Sequence, residues 1–127
     1  MTRKRKGVKA GRFSYEGLDR VMHEKARLGI LASLAAHSGG LLFNDLKELC
    51  CLTDGNLSRH LSVLSEAGLV EIWKGQQGPR QQTMYRLTAD GRTRFAEYIS
   101  VLESVISDAH QKASKQEARS PAGWTPA

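Results

Sequence analysis

The spacing of apolar positions changes along the chain, and the first regular stretch lies between residues 15 and 38. There, apolar side chains recur every three or four residues, which predicts one amphipathic helix, or two helices if Gly29 interrupts it. The glycine pair after Ser38 ends this stretch, and the apolar run at 41–43 predicts a minimal strand. The apolar positions of the helical stretch are Leu18, Val21, Met22, Ala26, Ile30, Leu31 and Leu34.

Two short helices are predicted next, each introduced by a side chain that can accept a hydrogen bond from the backbone N–H groups of a first turn. We expect Asn44 to cap a helix at 45–51 and Thr53 to cap a helix at 54–67. Gly68 then favours the left-handed conformation that ends a helix. The positions of the first helix that are expected to point inward are Leu46 and Leu49.

Alternating apolar positions then predict a β-hairpin, which is followed by a long helix. Strands are expected at 69–74 and 83–87 around a turn at 75–79, and Thr88 is expected to cap the last helix. From residue 110 onward the chain is rich in Ala, Ser, Lys and Pro, which predicts fraying. The inward-facing strand positions are Val70, Ile72, Tyr85 and Leu87, and the apolar stripe of the last helix comprises Phe95, Tyr98, Ile99, Leu102, Val105 and Ile106.

The helix at 54–67 has a face that suits a DNA major groove. At 100° per residue its leucines share a narrow arc that must be buried, and the opposite side is small and polar. An arginine can bond a guanine edge and an asparagine an adenine edge, so Arg59 and Asn56 are the expected base readers. An amphipathic surface helix without DNA contacts is the alternative, which the adjoining turn and hairpin make less favourable. The buried leucines are Leu57, Leu61 and Leu64, and the expected DNA contacts are Thr53, Asp54, Gly55, Asn56, Ser58, Arg59 and Ser62.

The tip of the hairpin, at 74–82, combines two cations with glycine and glutamine. Lys74 and Arg80 flank the sequence GQQGP, a flexible tip that can reach the minor groove or adjacent phosphates. The alternative is a solvated hairpin loop without a DNA contact. Arg86, on the return strand, is a weaker candidate for a DNA contact, and the alternative is that it faces water.

Three segments of the chain carry motifs that are weak singly and specific together. These are LTDGNLSRHLSVLSEAGLV at 52–70, YRLTADGR at 85–92 and HEKARLGIL at 23–31. Over residues 16–106 the chain resembles winged helix-turn-helix transcriptional regulators of the MarR and ArsR kind, most of all a compact MarR-like branch without additional N-terminal helices. The resemblance implies a mainly α fold with a small β-hairpin wing, a C-terminal dimerisation helix, and a homodimer on a two-fold symmetric operator.

The charge is distributed unevenly along the 127 residues. Residues 1–12 hold six of the 19 basic residues and no acidic residue, so the other 13 basic residues balance the 13 acidic ones. We therefore expect a disordered basic arm at 1–14, one domain at 15–109 and a flexible tail at 110–127. Arg3 and Arg5 of the arm are expected to contact DNA phosphates, and a solubilising tail is the alternative.

No stretch is apolar over the ~20 residues of a membrane span, and no apolar run follows the basic start, so neither a membrane helix nor a secretory signal is expected. The two cysteines, Cys50 and Cys51, are adjacent, and adjacent cysteines rarely form a disulfide because the bridge needs separated Cα atoms. This favours a reducing, cytoplasmic location. At least one of the pair is expected to pack in the core.

Candidate chemistry beyond DNA binding is weak in this sequence. A metal site or a redox switch at the cysteine pair is an alternative, but no ligand cluster has zinc spacing, and we expect no metal and no cofactor. His60 is expected to pack at the edge of its helix, with a phosphate contact as the alternative. No phosphate-binding loop, zinc protease motif or nucleophile elbow is present, so the chain is not expected to be an enzyme.

The apolar stripe of the last helix extends beyond the reach of a small core, which predicts a homodimer. A helix that folds back over its own domain is the alternative. The predicted function is a sequence-specific duplex DNA-binding repressor, and the alternative is a winged-helix module that binds protein or RNA. The operator, any small-molecule effector and the regulated genes stay open. The expected interface residues are Leu18, Val21, Met22, Tyr98, Leu102, Val105 and Ile106.

Overall fold

The computed structural model describes Phe13, Tyr15, residues 19–115 and residues 121–127. The predicted order of three helices, a hairpin and a long final helix is confirmed, together with a minimal strand between the first two helices. Arg3, Arg5 and Leu18 lie outside the described residues, so what is expected of them stays a prediction. In chain order the elements are α1 (Lys25–Ala36), β1 (Leu41–Leu42), α2 (Phe43–Cys50), α3 (Asp54–Glu66), β2 (Val70–Gln77), β3 (Arg80–Leu87) and α4 (Ala89–Lys115).

The first helix begins later than the apolar pattern suggested. A carboxylate oxygen of Glu24 accepts a hydrogen bond from the backbone N–H of Arg27 at 3.1 Å, which caps α1 at its start. The prediction of a helix from residue 15 is therefore wrong, because residues 20–24 form turns and bends. Gly29 lies inside α1 and does not interrupt it, since buried apolar neighbours on the same helix hold it against the core.

The start and the facing of α2 also differ from the prediction. Leu42 is its N-cap residue and makes no side-chain cap, so Asn44 lies inside the helix and the capping prediction is wrong. Leu46 is completely buried, but Leu49 is 56% exposed, which corrects its inward assignment. A helix this short buries only the side that faces α1 and α3. Leu46 lies on that side, and Leu49, about 60° away around the helix axis, does not.

The boundaries of α3 agree with the prediction, since strong local signals mark both ends. The Thr53 hydroxyl accepts a hydrogen bond from the backbone N–H of Asn56 at 3.2 Å, as an N-cap does. After Glu66 the chain turns at Gly68, whose φ of +77° is the left-handed conformation that glycine adopts without strain.

The sheet has three antiparallel strands in the order β1-β3-β2. The hairpin is longer than predicted, because β2 and β3 stay paired from Val70↔Leu87 to Gln77↔Arg80. The predicted turn at 75–79 is therefore wrong, and the actual turn is Gly78 and Pro79. Ile72 is 46% exposed, which corrects its inward assignment: the hairpin extends past the core that buries Val70.

The core lies where α1, α2 and α3 meet the sheet and the first half of α4. Two hydrogen bonds join the chain that follows α3 to the start of α4. The backbone N–H of Thr88 donates to the Leu69 carbonyl at 3.0 Å, and the Thr88 hydroxyl donates to the Gly68 carbonyl at 2.7 Å. The same hydroxyl accepts from the backbone N–H of Gly91 at 2.8 Å, so the predicted cap of the last helix is confirmed. The fully buried leucines and isoleucine are Ile30, Leu31, Leu34, Leu46, Leu57, Leu64 and Leu69.

The last helix runs further than predicted, and two residues that precede α1 bond to it. It continues to Lys115, so it includes the first residues of the predicted tail. The Tyr15 hydroxyl donates to Asp108 at 2.9 Å, and Arg94 donates to Asp19 at 3.1 Å. Among the described residues no helix is long and apolar enough to cross a bilayer.

Candidate nucleic-acid interface

The exposed face of α3 holds all seven residues that the sequence singled out on this helix. An Nη atom of Arg59 donates to the side-chain oxygen of Asn56 at 3.2 Å, one helical turn apart. The two predicted base readers are therefore adjacent on one surface, and each still has unused hydrogen-bonding groups. The exposed residues are Thr53, Asp54, Gly55, Asn56, Ser58, Arg59 and Ser62.

The N-terminus of α3 carries an ion pair that the sequence did not reveal. The Lys47 ammonium lies 2.9 Å from a carboxylate oxygen of Asp54 and joins α2 to the start of α3. Asp54 alone would repel a DNA phosphate, and Lys47 offsets that charge at the point where the helix would enter a groove. Because the two residues are on different helices, no local spacing in the sequence predicts the pair.

The hairpin tip presents cations without nearby acids. Lys74 and Arg80 are exposed, and within the described part of the chain neither forms an ion pair. Gly75 of β2 and Gly78 of the turn have no atom within 4 Å of an added Cβ, so the tip is sterically open at both positions. The wing predicted at 74–82 is thus available for contact with phosphates or a minor groove.

At the base of the wing Arg86 is engaged by two neighbouring side chains, so it neither simply faces water nor is free to contact DNA. Its Nε donates to a Glu71 carboxylate oxygen at 2.8 Å, and its guanidinium lies 4.8 Å from the centre of the Trp73 ring. The hydrogen bond from Arg86 holds the pKa of Glu71 below its usual range, although burial opposes this. Arg86 therefore stabilises the hairpin and is not a free cation.

His60 lies on the side of α3 that faces the start of α1. It is 7% exposed, so the expectation that it packs at the helix edge is confirmed. Its Nδ1 lies 3.3 Å from the Nε of Arg27 and 3.6 Å from a carboxylate oxygen of Glu24. Burial raises the pKa of Glu24, but backbone hydrogen bonds from Arg27 and Ala26, together with the charge of Arg27, outweigh it and lower that pKa.

The residues predicted for a dimer interface divide into two groups. Met22 and Tyr98 are buried within the single chain, and Tyr98 bonds His23 at 2.6 Å, so neither offers surface to a second copy. Desolvation of its ring, and then the charge of Asp19, raise the pKa of Tyr98.

The second group of predicted interface residues is half-buried and comprises Val21, Leu102 and Val105, of which Leu102 packs against the core. Among the described side chains of α4, the exposed large hydrophobic residues are Ile99, 36% exposed, and Ile106, 55% exposed.

The cysteine pair lies at the turn between α2 and α3. Cys50 is half-buried against the core, and its sulfur lies 3.7 Å from the Ser33 hydroxyl, which confirms that one cysteine packs inward. Cys51 is exposed, and its φ of +52° ends α2 in the left-handed region. Within the described residues there is no group of three or more side chains of the kinds that hold a metal ion.

Comparison with known proteins gives consistent matches. Residues 26–106 match the family model described as a winged helix DNA-binding domain. An uncharacterized protein from Methanocaldococcus jannaschii is 47% identical over 57 residues, which are 45% of this chain and 62% of that protein. The match thus covers less than two thirds of that relative.

Two solved structures show the same architecture. A transcriptional regulator homologue from Pyrococcus horikoshii OT3 is similar with a TM-score of 0.67 at 28% identity, over 72% of this chain and 89% of that one. A transcriptional regulator assigned to the MarR family, from Enterococcus faecalis V583, has a TM-score of 0.66 at 21% identity, over 74% of this chain and 84% of that one. The second likeness concerns the fold alone.

Proposed function

Because this chain belongs to the family of winged helix DNA-binding domains, we propose that it is a sequence-specific transcriptional repressor that binds duplex DNA as a homodimer. The family and the fold are those of transcriptional regulators and not of enzymes. The observation that carries the proposal is the adjacent pair of Asn56 and Arg59 on an exposed, polar helix face. A face built to bind protein would instead expose apolar side chains there.

In this proposal α3 enters the major groove with its N-terminal half. Arg59 and Asn56 exchange their mutual hydrogen bond for bonds to base edges, and the small neighbours Gly55 and Ser58 allow the helix backbone to approach. Lys74 and Arg80 then contact the minor groove or flanking phosphates from the hairpin tip. Repression follows if the bound dimer covers promoter DNA.

The test begins with selection of bound duplexes from a random pool, which yields the preferred site directly. Arg59→Ala is then expected to weaken binding to that site by about 1–3 kcal/mol, because a lost base contact has that cost. Arg20→Ala is the matched control, since it removes an equal exposed charge outside α3 and the hairpin. Folded Asn56→Ala and Arg59→Ala variants that bind the selected duplex as tightly as wild type would contradict the proposal, as would preferential binding of duplex RNA.

The homodimer part of the proposal rests on the outer face of α4. Ile99 and Ile106 are seven residues apart, so they lie on one side of the helix, and Ile99 also borders an apolar cleft of 430 Å³ between α1 and α4. A second copy would remove this surface from water. We expect wild type to sediment as a dimer at micromolar concentration and an Ile99→Glu, Ile106→Glu variant as a monomer, with Glu103→Gln as a control.

Leu102→Glu is a poorer choice for this test, because Leu102 packs against the core and its loss would also destabilise the monomer. A wild type that sediments as a monomer would refute the dimer without affecting DNA recognition by one copy. Repression itself is measured by transcription in vitro from a promoter that contains the selected site, with the Arg59→Ala variant as the reference.

A further inference from the structure

A polar link joins the start of α1 to the middle of α3, next to the surface that would read DNA. The Arg27 Nε donates to the Nδ1 of His60 at 3.3 Å, and the backbone N–H of Arg27 donates to Glu24 at 3.1 Å. Glu24 also lies 3.6 Å from the same His60 nitrogen. The three residues therefore connect the N-cap of one helix to a buried position of another, immediately after Arg59 in the chain.

The direction of the hydrogen bond defines the state of the histidine. An arginine Nε is always a donor, so the Nδ1 of His60 must accept and cannot carry a proton in this contact. The ring proton is then on Nε2. A link of this kind constrains the angle of the ring as well as its distance.

Such a constraint matters because the core contacts in the middle of α3 have no preferred direction, while the bonds of Lys47 to Asp54 and of Arg94 to the Ala67 carbonyl act at its two ends. Leu57, Leu61 and Leu64 hold the helix against the core through apolar burial, which tolerates small rotations about the helix axis. If the helix rotates by about 20°, the end of a side chain that lies about 6 Å from the helix axis moves by about 2 Å. Base recognition tolerates about 0.5 Å in a hydrogen-bond length.

From this geometry we propose that His60 is a positioning residue for DNA recognition: its bond to Arg27 sets the rotation of α3, and so the direction in which Arg59 and Asn56 point. The inference rests on the proposed function and extends it to a residue that does not touch the bases. It predicts that loss of the link reduces discrimination between sequences more than it reduces attraction to DNA as such.

Two substitutions at His60 separate the link from the bulk of the side chain. In His60→Asn the amide oxygen can take the place of Nδ1 and accept from Arg27, whereas in His60→Gln the amide lies at the position of Nε2. Arg27→Met breaks the same link from the other side and keeps most of the aliphatic stem. Each variant is titrated with the duplex selected by wild type and with a scrambled duplex of equal length.

We expect His60→Gln and Arg27→Met to lose about tenfold in affinity for the selected duplex, with a change below about twofold for the scrambled one. His60→Asn should recover most of the loss. Nitrogen NMR of the histidine rings should show the Nε2–H form at His60 in wild type and a changed signal in Arg27→Met.

If folded His60→Gln and Arg27→Met proteins discriminate between the two duplexes as wild type does, the positioning role is overturned. It is also overturned if these variants lose affinity equally for the selected and the scrambled duplex. If wild type itself selects no sequence, it is the proposed function that fails, so the two failures are distinguishable. Should His60→Gln not fold, the comparison of Arg27→Met and His60→Asn with wild type decides the question.

Discussion

Gly91 lies in the first turn of α4, where the helix meets the backbone that follows α3. A Cβ added at Gly91 would lie 2.2 Å from the Leu69 carbonyl oxygen and 3.0 Å from its carbonyl carbon. Neither atom belongs to a flexible side chain, so Gly91→Ala must push two backbone segments apart by more than about 1 Å to reach ordinary contact distances. We therefore expect this conservative-looking change to be strongly destabilising.

The magnitude follows from the contacts at the same point. Overpacking of a well-packed site costs about 1–3 kcal/mol. The Leu69 carbonyl also accepts from the Thr88 N–H, and displacing it weakens a hydrogen bond with a net value of about 1 kcal/mol. Alanine recovers up to about 1 kcal/mol through its better helix propensity. The net expectation is a loss of about 1–3 kcal/mol, a large part of the stability of a small domain.

Gly29 supplies the matched control, because it is also a helical glycine but has space around it. A Cβ there would lie 3.9 Å from the Cys50 sulfur, an ordinary contact, so Gly29→Ala should stabilise by about 0.5–1 kcal/mol. The assay is urea unfolding followed by circular dichroism at one fixed protein concentration, since any dimer makes stability depend on concentration. If Gly91→Ala unfolds at the same urea concentration as wild type or Gly29→Ala, the steric argument is refuted.

Three further predictions follow from charge and capping. Deletion of residues 1–12 should flatten the dependence of log affinity on log salt for any duplex, because six cations are lost; an equal slope would make the arm a solubilising tail. The pKa of Glu71 is lowered in the folded state, so its pairing with Arg86 stabilises the fold at neutral pH, and this stabilisation is lost as the pH falls through the lowered pKa. The stability advantage of wild type over Glu71→Gln should therefore vanish in acid. A difference in unfolding free energy that stays constant with pH would contradict this. Thr53→Ala should cost about 1 kcal/mol in urea unfolding through loss of the α3 cap, with Thr53→Ser retaining stability.

Elements marked by local chemistry were predictable from the sequence. The hydroxyl groups of Thr53 and Thr88 cap the starts of α3 and α4, and Gly68 follows the end of α3 in the left-handed conformation. The structure has each residue in the role that was predicted for it. The exposed face of α3 was likewise predictable, since the leucine spacing defines the buried face and leaves Asn56 and Arg59 on the other.

Elements marked by weaker signals were misplaced where competing partners decide. Asn44 looks like a cap, but α2 begins earlier, at Phe43. Leu49 is exposed because only the Leu46 side of this short helix packs on the core. Apolar residues before Lys25 suggested helix, although the Glu24 carboxylate caps α1 at that later point. Apolar spacing reports which residues could share a face and not where the backbone hydrogen bonds begin.

The sequence by itself determined the order of the elements, the buried leucines of α3 and the polar surface that would face DNA, because helical and strand periodicity and capping act over a few residues. Only the tertiary structure decided which distant groups meet. Three polar pairs form between separate elements: Lys47 with Asp54, Arg86 with Glu71, and Arg27 with His60. Their partners are chosen by how the helices pack and how the strands pair in register, and no periodicity along the chain encodes which residues of two separate elements meet.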